Sequence, residues 1–182
     1  MKLRRTALTA TAVTAVAATA LTLLGSPAYA GPGSLGDPAG DAIDGGLDIT
    51  GATIRNHDYS VVVRVRFVKA VRGDLIVSID PRRAGGVRVV SQYRPEGKTR
   101  SFVLTGAFTD RQTDGSETVE VPCSGLRVRW STDTSTATVR MPSTCLHDGN
   151  YGAVRVALLT ERGEDTDFAP ENRDATRWIR RG

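Results

Sequence analysis

The stretch Tyr59-Ser60-Val61-Val62-Val63-Arg64-Val65-Arg66-Phe67-Val68 decides the fold. Val61, Val63, Val65 and Phe67 share one parity while Arg64 and Arg66 take the other, so the segment reads as a strand with one buried and one wet face. Just before it, Asn56-His57-Asp58 has turn chemistry and joins this strand to residues 48–54 as a hairpin. A strand at 75–79 follows the Arg72-Gly73-Asp74 turn, and Asp80-Pro81 ends it. Residues 87–94 and 99–105 flank Pro95-Glu96-Gly97-Lys98, whose Pro and Gly suit a tight reversal, and form a second hairpin. Leu126, Val128 and Trp130 alternate with Arg127 and Arg129, then turn at Asp133-Thr134-Ser135 into 137–141 as a third. A single helical turn is expected at 142–146 and a last long strand at 151–160. The tail is polar apart from Phe168, Trp178 and Ile179, and reads as an edge strand or a strap along the sandwich. Regular short strands with turn signals about every ten residues predict an all-β fold, a single antiparallel β-sandwich of jelly-roll-like form, over 47–182.

Residues 1–30 have a different character. A cationic start (Lys2, Arg4, Arg5) precedes an Ala/Thr/Val/Leu run and a Gly25-Ser26-Pro27 breaker ahead of Ala28-Tyr29-Ala30. That order predicts a signal peptide cleaved after Ala30, hence a secreted protein with no transmembrane anchor after cleavage; a retained anchor is the rival reading. The leader holds three of the 24 basic residues and none of the 20 acidic ones, leaving a net charge of +1 on residues 31–182. Such a near-neutral balance gives no specific nucleic-acid signal. The two cysteines, Cys123 and Cys145, flank the third hairpin, and in an oxidising compartment an even pair predicts a disulfide clamping its open end. There is no C-x-x-C, and the two histidines lie at no ligand spacing, which speaks against zinc.

The segment 31–46 is rich in Gly, Pro and Asp and reads as a loop. It carries Asp37, Asp41 and Asp44, with Asp48 at the mouth of the first strand. Hard oxygen ligands on a flexible backbone are what Ca²⁺ requires, though the spacing is not that of an EF-hand. The plainer reading is that these are turn formers bonding their own backbone. Asp37-Pro38-Ala39-Gly40-Asp41, then Gly46-Leu47-Asp48-Ile49-Thr50-Gly51-Ala52-Thr53-Ile54 and the alternating valine strand, resemble the opening of secreted β-sandwich domains of the DOMON and family-9 carbohydrate-binding-module type. That resemblance covers about a third of residues 31–182. It implies a jelly-roll-like sandwich that binds calcium or sugar, and no catalysis. The later half is similar to small secreted bacterial proteins of unassigned function.

Seven arginines, Arg64, Arg66, Arg88, Arg127, Arg129, Arg140 and Arg155, fall on the outward parity of the predicted strands. If several of those strands share a sheet, its wet face is cationic and suits an anionic polymer, a cell-wall phosphate polymer, an acidic polysaccharide or extracellular nucleic acid, through bidentate contacts. The plainer reading is an ordinary solvated face whose Arg stems cover strand surface. Trp130 and Phe67 have core parity, whereas Tyr59, Tyr93, Tyr151 and Trp178 are candidate platforms for a sugar, foremost Tyr93 between Gln92 and Arg94 near a hairpin end, whose plainer reading is a half-buried strand tyrosine. No G-x-S-x-G, H-E-x-x-H or Walker loop is present, and His57 and His147 sit in turn sequences. The sequence thus points to a secreted, non-catalytic binding or envelope-associated module that takes calcium, carbohydrate or an anionic polymer. The alternative is a small secreted hydrolase, or an inhibitor of one, using loops at 110–116 or 141–146.

Overall fold

The computed structural model describes residues 31–42, 47–109, 118–171 and 174–182. The expected leader, Asp44 and the expected loop at 110–116 lie outside the described residues. Among the described residues, eleven strands form two antiparallel sheets that pack face to face. One sheet has the order β1-β2-β3-β9-β8, built from Gly33–Gly36, Ile49–His57, Ser60–Phe67, Thr136–Pro142 and Arg127–Ser131. The other has the order β11-β10-β4-β5-β6-β7, built from Asp165–Ala169, Val154–Arg162, Gly73–Pro81, Val87–Tyr93, Arg100–Thr105 and Glu120–Val121. Among the described residues no helix is long and apolar enough to cross a membrane.

The parity of β3 sets the core. Val61, Val63, Val65 and Phe67 are buried, and Arg64 and Arg66 are exposed. Their inward neighbours are Ala52 and Ile54 on β2 and Ala137, Val139 and Met141 on β9, which meet Leu75, Val77, Ile79, Val89, Val156 and Leu158 of the facing sheet. Three stacked rings reinforce the contact between sheets. Trp130 of β8 lies 4.4 Å from Tyr93 of β5 and 5.4 Å from Phe67 of β3, both nearly parallel, and its indole N–H donates to Ser91 Oγ at 3.0 Å. Tyr93 is therefore buried between the sheets, not a platform at a hairpin end. Its ring is already occupied on the face a sugar would need.

All three expected hairpins form, as β2–β3, β5–β6 and β8–β9. Cys123 and Cys145 are joined with Cα atoms 5.1 Å apart, closing the third at its open end. By loop-closure entropy this bridge stabilises the fold by about 3 kcal/mol. The expected helical turn is the 3₁₀ turn Ser143–Cys145. The tail does both things its composition allowed: β11 is an edge strand, and Ile179 exchanges backbone hydrogen bonds with Val154. Its return is held by buried Asn56, whose amide donates to the carbonyls of Gly152 and Ile179 and accepts from the Tyr151 hydroxyl.

One expectation needs correction. The segment 31–46 is not all loop, because Gly33–Gly36 pairs with β2 as an edge strand. An edge needs only one bonded side, so Gly and a nearby Pro are tolerated there. A side chain at Gly33 would collide with Ile179, whose Cδ1 lies 2.3 Å from the position a Cβ would take. Of the seven arginines, Arg64, Arg66, Arg127, Arg129 and Arg140 lie on the five-stranded sheet, and Arg88 and Arg155 on the six-stranded sheet.

Candidate cation centre

Four carboxylates come near one another: Asp37 just after β1, Asp41 in the loop that follows, Asp48 just before β2, and Asp167 on the edge strand β11. One oxygen from each of Asp37, Asp41 and Asp167 lies within 4.8 Å of the others. Calcium binds oxygens at about 2.3–2.6 Å, so oxygens up to roughly 4.8 Å apart can all touch a single ion. Asp48 flanks the trio closely enough to raise the pKa of both Asp37 and Asp167.

The backbone holds this group in place. Asp48, only 6 % exposed, accepts the Gly40 N–H on Oδ2 at 2.7 Å, and its Oδ1 is buried without a hydrogen-bond partner. Gly40 makes that bond from a φ of 91°, a left-handed conformation that suits glycine. Asp167, 5 % exposed, accepts the Ile49 N–H on Oδ2 at 2.6 Å, a bond that ties β11 of one sheet to β2 of the other. Both oxygens of Asp37 are buried without a partner.

Carboxylates so placed repel one another, and burial desolvates those of Asp37 and Asp167. Burial, followed by the charges of Asp167, Asp41, Glu171 and Asp48, pushes the Asp37 pKa up to about 7. Burial pushes Asp167 up to about 6, against the lowering effect of the Ile49 N–H, with Asp41, Asp48 and Asp165 adding to the rise. Buried acceptors without donors are costly and rare in folded proteins, and a cation or a proton relieves them. Once ionised, these carboxylate oxygens could hold an oxygen-seeking divalent ion.

The structure thus brings together Asp37 and Asp41 of the sequence-expected set with Asp167, which sequence reasoning missed, and leaves Asp48 beside this trio. The signal for Asp167 was slight. It shares parity with buried Ala169 on β11, an inward position where a strand ordinarily places an apolar residue.

The arginines lie elsewhere. Arg64, Arg66, Arg127 and Arg129, with Arg140 and also Arg55, are exposed on the outer face of the five-stranded sheet. Register sets Arg127 directly opposite Arg140, and Arg64 and Arg129 on either side of Thr138. Gly125, Arg127, Arg129, Thr138 and Arg140 line an open depression of about 520 Å³. On the other sheet Arg155 is bound to Asp80 at 2.6 Å, and Arg88 donates to Gly106 O and Thr118 Oγ1. His57 and His147 are exposed. Within 141–146, Met141, Ser143 and Leu146 are buried and Cys145 is in the disulfide. No protein-family model, no curated protein and no solved structure matches this chain.

Proposed function

We propose that this chain is an exported, non-catalytic binding module whose two sheets are fastened at one end by a calcium ion on Asp37, Asp41, Asp48 and Asp167. The observation that carries the reading is the convergence of three carboxylates within 4.8 Å beside buried oxygens of Asp37 and Asp48 that accept no hydrogen bond. The kinship with DOMON and family-9 carbohydrate-binding modules belongs to the same proposal. It rests on Asp37-Pro38-Ala39-Gly40-Asp41, in which both acids face the centre and Gly40 supplies the N–H that positions Asp48. The ion's task is structural, since it draws the N-terminal loop and β2 onto β11 and so shapes that end of the sandwich.

Calorimetric titration with Ca²⁺, paired with thermal melting in calcium or chelator, tests this. Saturating calcium at about a thousand times Kd adds roughly 4 kcal/mol, which raises Tm by about 10 °C for a domain of this size. Asp37→Asn or Asp167→Asn abolishes both the heat and the rise. Mg²⁺ gives a much smaller rise, because it demands a tight octahedral shell and dehydrates reluctantly. The absence of both heat and any change in Tm at millimolar calcium would contradict the proposal.

A further inference from the structure

The five strands of the β1-β2-β3-β9-β8 sheet contain no aspartate or glutamate. Their outward positions carry six exposed arginines, Arg55, Arg64, Arg66, Arg127, Arg129 and Arg140. Among the described residues none of the six takes part in an ion pair, whereas Arg94, Arg100, Arg155 and Arg181 each do. Register arranges the six in rows. Arg55, Val62, Arg140 and Arg127 form one row, Thr53, Arg64, Thr138 and Arg129 the next, and Gly51, Arg66, Thr136 and Ser131 the third. With strands about 4.8 Å apart, the first row spans roughly 14 Å, and the rows follow one another at about 7 Å.

Stems of these arginines shield half-buried Val62, which is a solvation role any sheet face can have. Shielding does not explain the absence of carboxylates. Arg127 directly opposite Arg140 is a like-charge cross-strand pair, an arrangement that destabilises a sheet. An anion laid across the depression that both line would relieve it.

The same face says what kind of anion fits. Its three arginine rows present no aromatic ring, because Phe67 and Trp130 point inward into the stack with Tyr93, and exposed His57 and Tyr59 stand beyond the rows at the β2–β3 turn. Bases of single-stranded nucleic acid stack on aromatic platforms, and sugar rings pack on them too, so neither is provided for. Nor does it carry the Asn, Gln, Asp or Glu that would sort hydroxyl groups; between the arginines stand only Thr, Ser, Gly and Val. The face reads charge alone. We infer that the outer face of the five-stranded sheet docks a flexible phosphodiester polymer that lacks nucleobases. This rests on different residues from the calcium centre and stands or falls separately.

Fluorescence polarisation of the purified protein with labelled poly(glycerol phosphate), at 20 and 200 mM NaCl, is the test. Binding is expected at low salt and weakens at least tenfold at high salt, as released counterions require. Arg127→Ser with Arg140→Ser reduces affinity at least tenfold and flattens the salt dependence, while calcium binding stays as in the parent and Tm does not fall. Arg100→Ser, on the other sheet, leaves affinity unchanged. No binding at 20 mM NaCl, or equal loss in the Arg100 variant, overturns the inference. So does equal or tighter binding of oligothymidylate or polygalacturonate of matched charge, which would mark a base-reading, sugar-reading or unselective surface.

Discussion

The two sheets use arginine in opposite ways. In the six-stranded sheet arginines are bound in place: Arg155 to Asp80, Arg100 to Glu120, and Arg88 to the loop carbonyl of Gly106 and the hydroxyl of Thr118. Arg88, Arg100 and Arg155 also lie over aromatic rings, those of Phe108, Phe102 and Trp178. There the guanidinium is a structural part that fastens loops and tail over the outer face. In the five-stranded sheet six arginines stand outward with no carboxylate in any strand beside them. Residue type and parity are alike in the two sets, so what separates structural from available cations is the strand that happens to be the neighbour.

The largest break comes from the link between the sheets. Trp130→Ala removes the middle ring of the Phe67–Trp130–Tyr93 stack, and chemical denaturation should show a loss of about 3 kcal/mol. Next comes the partnered set. Arg155→Ser leaves buried Asp80 with Thr109 as its remaining side-chain donor, and the same measurement should show a loss of about 1–2 kcal/mol. Arg129→Ser on the other sheet has no ion pair to lose and stays within about 0.5 kcal/mol of the parent. The smallest effect has the opposite sign. Arg127→Glu turns the facing pair with Arg140 into an attractive one and should stabilise by about 0.2–1 kcal/mol while weakening polymer binding. A destabilised Arg127→Glu, or equal losses for Arg155→Ser and Arg129→Ser, would erase the distinction between the sheets.

Much of this architecture was readable from period-two alternation. Val61, Val63, Val65 and Phe67 place their burial in the sequence itself, and Pro95-Glu96-Gly97-Lys98 and Asp133-Thr134-Ser135 mark their turns. Alternation fades in β4, where Leu75, Ile76 and Val77 are all buried. Its outer face carries a second small cluster, Ile76 with Val90 and Leu159, against which Phe102, Leu104, Phe108 and Phe168 pack. Strand order was not readable, because it depends on pairings such as β3 with β9 and β4 with β10 that join distant parts of the chain. For the same reason Arg88 and Arg155 could not be told from Arg64 and Arg129. The acidic centre was half readable: Asp37, Asp41 and Asp48 are near in sequence, whereas Asp167 reaches them only through the β10–β11 hairpin and its bond to Ile49.

The carboxylate centre gives the sharpest test, through pH. With their pKa values raised to about 7 and 6, Asp37 and Asp167 hold protons in the folded state that the unfolded chain has released above about 4. Without a metal, the folded state binds more protons across that window, so their contribution to stability is present at low pH and is lost as pH rises toward 7. Calcium reverses the sign, since it requires the ionised carboxylates. Tm of the parent minus that of Asp37→Asn, measured from pH 4 to 8 in chelator and in millimolar calcium, should fall with pH in the first case and rise in the second. Two superimposable curves would mean that these acids bind no cation.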